Sequence, residues 1–387
     1  MTQPINTKLV NWQDCMNVAA NHFMQTEDYF INAIRDTVSQ QLNKHNFGLL
    51  PAEGNLQQTD GIRISEHPTG HIEIRLLHCN AITQSGIRIN YNPGAENFLV
   101  ENHDPKKDAS KGRDKEIKLW DIILVVDPYK RVPTGVPDVN ETPPRHPDAE
   151  SAYSLVVVPS GEVDTIEFGR HHLIIGRVRK KSDQYEVDGN YIPPCTSMNS
   201  HHELIAYHNK FGHQLIDIEK NSKSIIAKIY SRSNETKLAE NIKYVCNDVL
   251  RYLSAIYFNY RNLAMYEAPV QTVNYASSLA HTIYISINTL SGPDKEELLN
   301  YFYEWSDVTP GSFEDMLAKS MQILYEHGKI RATMLELDIL LSTLSELWKK
   351  LNQLEYIGQH KESIVVSERS QFEAPNPKRG RDYSIFD

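Results

Sequence analysis

Pro193-Pro194 separates two hydrophobic periods that no single kind of secondary structure can serve. Upstream, from Gly61 to about Pro193, apolar and polar residues alternate. Ile62 and Ile64 alternate with Arg63 and Ser65, Ile72, Ile74 and Leu76 with Glu73 and Arg75, and Ile87 and Ile89 with Arg88 and Asn90. A period of two sends successive side chains to opposite faces of a pleated strand, so these stretches predict half-buried strands. Pro68-Thr69-Gly70 and Ser85-Gly86 supply turns between them. Ile122 to Val126 and Leu155 to Val158 are denser apolar runs, the pattern of central strands covered on both faces, and His172 to Lys180 adds another strand. Short strands without amphipathic helices between them predict an antiparallel β-sandwich over 47–195 rather than a βαβ sheet.

Downstream the period lengthens. Leu204, His208, Phe211, Leu215, Ile218, Ser222, Ile225 and Ile229 recur in steps of three and four, as do Leu238, Ile242, Val245, Val249, Tyr252 and Ile256. Leu337, Leu340, Leu344, Leu347, Leu351 and Leu354 form a third seam, with Lys349 and Lys350 outside it. A repeat of about 3.5 residues predicts long helices in a coiled-coil-like bundle over 196–357. Ser291-Gly292-Pro293-Asp294 and Thr309-Pro310-Gly311-Ser312 interrupt it, the second opening a new helix. The fold class predicted is α+β, a sandwich followed by a helical bundle.

The flanks and insertions read differently. Residues 1–46 predict a leading loop and a first helix, because Phe23, Phe30, Ile34 and Val38 fall near helical spacing and no glycine or proline interrupts them. Residues 101–118 mix both signs of charge, which predicts a solvated hairpin extension. Residues 127–147 carry six prolines, which predicts an extended surface arm outside any strand ladder. From Gly358 the periodicity is lost, so 358–387 reads as a tail. Its Lys378, Arg379 and Arg381 beside Tyr383, Ile385 and Phe386 suit a peptide that folds onto a partner or lies back along its own assembly.

Composition excludes several functions. Acidic side chains outnumber basic ones 50 to 40 among 387 residues, the reverse of a phosphate-binding footprint, so nucleic acid is not an expected partner. The longest aliphatic run, Ile122 to Val126, is far too short to cross a bilayer, and Met1 to Lys8 lacks a secretory signal, which predicts a cytoplasmic protein without membrane insertion. Four scattered cysteines suit a reducing compartment rather than a disulfide framework.

Catalytic chemistry finds no purchase. His201, His202, Glu203, His208 and His213 are the densest ligand-bearing group, but His202 and His208 lie about 600° apart around a helix, on different faces. Ser160 lacks the upstream glycine of a nucleophile elbow, and Cys195 after two prolines reads as a packed small hydrophobe. No phosphate loop or dinucleotide fingerprint is present. No catalytic residue, metal site or cofactor is predicted; an enzyme reading would rest on the histidines near 201 and require stoichiometric zinc.

Four stretches resemble one family. Asn11-Trp12-Gln13-Asp14-Cys15-Met16, with Asn21-His22-Phe23, resembles the start of TssK, the baseplate subunit of bacterial type VI secretion systems. Phe47-Gly48-Leu49 resembles that family's step into its first strand, and Ile192-Pro193-Pro194-Cys195 its hinge between sandwich and helices; the helical half follows in the same order. The chain departs from the family at Cys15, where glycine is usual, and at Asn21. About thirty residues remain after Gly358, too few for the family's C-terminal head, which resembles divergent Bacteroidetes-type members. The resemblance implies a structural adaptor, a homotrimer held by its helical neck with Leu337, Leu340, Leu344, Leu347, Leu351 and Leu354 as the trimer seam. It implies the wedge proteins TssF and TssG as partners, and a membrane-complex or adaptor protein of unknown identity on the other side, placing the protein at the inner-membrane baseplate. Trp12, Asp14, Met16, His22 and Phe23 are the candidate docking residues, either meeting the wedge or packing on their own sandwich. The alternative is a phage-like receptor-binding protein of similar shoulder-and-neck plan.

Overall fold

The computed structural model describes residues 7–52, 61–93, 98–109, 118–162, 171–182, 184–231, 236–306 and 308–361. Helix α1 (Ala20–Ser39) leads into β1 (Gly48–Leu49), β2 (Ile62–Glu66), β3 (Ile72–Leu76), β4 (Cys79–Ile82), β5 (Arg88–Tyr91) and β6 (Leu99–His103). A short α2 (Pro105–Ala109) precedes β7 (Leu119–Thr134), β8 (Asp148–Pro159), β9 (His172–Lys181) and β10 (Gln184–Val187). Then come α3 (His202–Ser231), α4 (Lys237–Asn262), α5 (Pro269–Asn288), α6 (Gly292–Trp305), α7 (Pro310–Met321) and α8 (Ile330–Gln353). The fold is α+β, as the two periods predict.

The chain divides into two compact units, one of 1–212 with 256–277 and 323–338, the other of 213–255 with 278–322 and 339–387. In the first, all strand pairing is antiparallel among the named strands, in three sheets ordered β1-β4-β5, β10-β9-β7-β8 and β2-β3-β6. The alternation read in β3 is realised. Ile72, Ile74 and Leu76 are at most 1% exposed, while Glu73 and Arg75 turn outward and pair at 2.6 Å. Ile122, Ile123 and Leu124 point alternately to the two faces of β7 and are all fully buried, so both faces of this central strand are covered. Gly176 in β9 makes room for the sheet opposite: a Cβ there would stand 2.7 Å from Ile62 Cδ1 of β2.

Three expectations are corrected. First, β8 is an outer strand of its sheet, and Leu155 to Val158 alternate between buried and half-buried instead of being covered throughout. Second, the charged stretch is built into the fold as far as it is described. Glu101 to His103 pair with β3, and Asp108 is 7% exposed, accepting from Trp120 Nε1 at 2.9 Å and lying 2.8 Å from His103 Nε2; residues 110–117 lie outside the described residues. A buried carboxylate needs such donors. Third, part of the proline-rich segment does join a ladder, since Arg131, Val132, Pro133 and Thr134 pair with Ser151, Glu150, Ala149 and Asp148. Pro133 pairs opposite Ala149 on the β8 side, and Pro128 falls in the register shift between Asp127 and Arg131, where the ladder is interrupted.

The family-like motifs meet in this unit. Leu49 N–H donates to the Pro194 carbonyl at 2.7 Å, and Thr196 N–H returns a bond to the Leu49 carbonyl at 2.9 Å. Gly48 has φ +114°, and a Cβ on it would stand 2.0 Å from the Pro194 oxygen, so the approach requires glycine. Cys195 is fully buried, which pushes its thiol up and away from nucleophilic use.

The second unit is helical. Ser291 and Thr309 cap α6 and α7 by accepting from the Asp294 and Ser312 backbone N–H groups, with proline in each first turn. Tyr301, Phe302, Phe313 and Trp348 fill its core, Phe302 packing on both Phe313 and Trp348. The Lys228 ammonium donates to the Leu354 carbonyl at 3.2 Å, past the end of α8. The stretch after Gly358 begins packed, not loose: Gly358 N–H donates to the Tyr301 hydroxyl at 3.0 Å, and Lys361 N–H to Glu304 at 3.1 Å. Residues 362–387 lie outside the described residues.

Candidate docking surface

The structure brings three of the N-terminal candidates together. The Trp12 ring meets His22 edge-on with centroids 6.1 Å apart, and Phe23 at the same separation. His22 Nδ1 accepts from the Ala19 backbone N–H at 3.1 Å, closing the first turn of α1. Asp14 is exposed and Met16 half-buried on the turn before the helix. Trp12 and Phe23 are 49% and 57% exposed, so this aromatic group stands at the surface.

The spacing in α1 predicts a helix, and the helix forms with its polar face inward. Asn32 and Arg35 are 3% and 6% exposed. Asn32 donates to Thr7 Oγ1 at 2.9 Å and accepts from the Tyr129 hydroxyl at 2.8 Å. Arg131 of β7 donates to Asp28 at 2.8 Å and Glu27 at 3.1 Å. Phe30 and Ile34 consequently face outward, 54% and 64% exposed. Steps of seven and four from Phe23 keep these side chains within about 40° around the helix. They form one wall of an open groove of about 1470 Å³, and the β7–β8 hairpin from Pro128 to Ser151 forms the other.

The seam candidates lie elsewhere. Leu337, Leu340, Leu344, Leu347 and Leu351 are at most 1% exposed within this single chain, and Leu354 is half-buried past the end of α8. The exposed large apolar residues of α8 are Leu335 and Ile339, at 45% and 63%.

Of the histidines near 201, His202 is exposed, while His201 and His208 pack against other rings. The His201 ring lies 4.6 Å from His202, and burial lowers its pKa to about 4. His208 stacks on Tyr260, whose hydroxyl donates to the His208 carbonyl at 2.9 Å. Among the described residues, no group of three or more His, Cys, Asp or Glu side chains is placed to hold a metal. Ser160 donates to Asp121 at 2.7 Å, an oxygen that Arg177 also binds.

No family model and no curated protein matches the sequence. Solved structures do match the fold. A crystal structure of TssK superposes with a TM-score of 0.53 at 14% identity, over 87% of this chain and 68% of that one. The fold is TssK-like. Two further TssK structures are similar at lower scores. TssK in a cryo-electron-microscopy TssK-TssF-TssG baseplate subcomplex gives 0.49 at 14% identity, over 89% of this chain and 99% of that one. TssK from the EAEC type VI system bound to a nanobody gives 0.45 at 13% identity, over 84% and 99%. No described helix is long and apolar enough to cross a membrane.

Proposed function

We propose that the chain is a structural baseplate component of a type VI secretion system, a homotrimeric adaptor and not an enzyme. The observation that carries this is the TssK-like fold over 87% of the chain, formed around motifs whose contacts are structural rather than catalytic. In this reading the shoulder of 47–195 meets wedge proteins of the TssF and TssG type, with Trp12, Asp14, Met16, His22 and Phe23 as docking residues. The helical neck of 196–357 forms the trimer, and an unidentified protein links the assembly to the membrane complex on the cytoplasmic side. Residues 1–46 and 358–387 flank these two domains.

Coexpression with the TssF- and TssG-like subunits of the same system tests the reading. A complex containing this chain in a multiple of three copies, stable through size exclusion, is expected. Failure of wild-type protein to copurify with either subunit overturns it. Trp12→Ala, a half-exposed residue, is expected to weaken that complex while leaving the melting temperature unchanged.

A further inference from the structure

We propose that the groove between α1 and the β7–β8 hairpin holds an extended polypeptide segment of a partner, with apolar side chains against Phe23, Phe30 and Ile34 and a lysine or arginine against Asp148 and Glu150. This deepens the assembly reading, and rests on it in taking the occupant to be a polypeptide.

The inverted mounting of α1 is the first argument. Its polar face is consumed by Thr7, Tyr129 and Arg131, so the outward turn of Phe30 and Ile34 is built into the fold. A contiguous apolar face rimmed by charge marks an interaction surface. Size is the second argument. At about 1470 Å³ the groove exceeds the roughly 300–1,000 Å³ of small-molecule clefts. Phe23 to Ile34 span about 16 Å of helix, the reach of roughly five extended residues.

Charge supplies the chemistry of the occupant. Each guanidinium at the groove is already held, Arg131 by Glu27 and Asp28, and Arg145 by Glu141 at 2.8 and 3.0 Å. His146 Nδ1 lies 2.8 Å from the Gly135 carbonyl. Asp148 and Glu150 line the groove, are exposed, and have no cation paired to them among the described residues. The unanswered charge is negative, so a basic side chain beside the apolar ones completes the site.

The test is selection from a random 15-residue peptide library displayed on phage, panned against the full chain, with selected peptides resynthesised and titrated by fluorescence polarisation. The expected peptides share apolar positions and a lysine or arginine. Their affinity is expected to fall about tenfold for Phe30→Ser and for Ile34→Ser, as at interface anchors, and about threefold for Asp148→Asn with Glu150→Gln. Melting curves check that each variant folds, and the two apolar variants back one another. Peptides with an acidic consensus, peptides insensitive to these substitutions, or no enrichment at all would overturn the proposal. A synthetic peptide of residues 372–386 that outcompetes every selected peptide would make the chain's own tail the occupant and also overturn it. So would a change in native mass on Phe30→Ser, which would make the occupant a second copy. None of these outcomes alters copurification of full-length subunits with the wild type, which judges the assembly reading separately.

Discussion

His327 Nε2 donates to the Phe47 carbonyl oxygen at 2.8 Å, joining residues 280 positions apart. The Tyr325 hydroxyl donates to the other ring nitrogen at 2.8 Å, so the neutral ring is satisfied on both sides. A second proton would take away the acceptor that Tyr325 uses, and burial lowers the His327 pKa to about 4.

Stability is therefore expected to fall on mild acidification. The folded pKa of His327 lies below the unfolded value near 6.5, so the unfolded chain binds more protons between about pH 6.5 and 4. The contribution is complete above that window and is lost as the pH falls through it, by about 1.4 kcal/mol per pH unit. His201, lowered to about 4 by burial, acts in the same direction. Urea unfolding across this range is expected to show the slope, and His327→Gln, which keeps a donor and an acceptor, to reduce it by about 1.4 kcal/mol per unit. A slope unchanged by that substitution would refute the assignment.

The inversion of α1 makes a contrast within one helix. Phe30→Ser and Ile34→Ser are expected to change unfolding free energy by no more than about 0.5 kcal/mol, because more than half of each side chain is already exposed. Asn32→Ala is expected to cost about 1–3 kcal/mol, since it leaves the Tyr129 hydroxyl without its acceptor. Thermal melting of the three variants decides it, and the reverse ranking would show α1 mounted with its apolar face inward.

Gly48→Ala is expected to destabilise by about 3 kcal/mol or more, combining a left-handed backbone with a Cβ driven into the Pro194 carbonyl. Soluble yield and melting temperature should both fall. A variant of wild-type stability would mean that β1 and the 193–195 segment do not meet.

Leu344 and Leu351 are covered by their own chain, so Leu344→Asp with Leu351→Asp is expected to yield unfolded or aggregated protein. Ile339 is 63% exposed on α8, so a substitution there tests the proposed trimer without disturbing the core. Ile339→Asp is expected to lower the native mass measured by light scattering while helical circular dichroism is retained. A wild-type mass of one chain at micromolar concentration would remove the trimer from the proposed function.

The change of period at Pro193-Pro194, the strands β3 and β9, the helices α3, α4 and α8, and the helix start at Thr309 were legible from residues close in the chain. Each depends on local amphipathicity or on a capping side chain within one turn. The surface aromatic group was legible in part: Trp12, His22 and Phe23 could be named, but the groove beside them could not. Its one detectable sign was the spacing of Asp28, Asn32 and Arg35, polar residues along one side of an apolar helix.

Periodicity states which residues share a face; it does not state which face turns inward. For α1 that choice belongs to Tyr129 and Arg131, which reach Asn32 and Asp28 from 97 and 103 residues away. For the proline-rich segment, membership of a ladder depended on β8 returning beside it, with Pro133 opposite Ala149 and Pro128 in the register shift between Asp127 and Arg131. For the charged stretch, burial of Asp108 depended on the indole of Trp120 arriving from the next strand. Local patterning decided the elements and their types, because hydrophobic spacing acts within a few residues. Tertiary structure decided their orientation, because hydrogen-bond partners for a buried polar group come from wherever the chain returns.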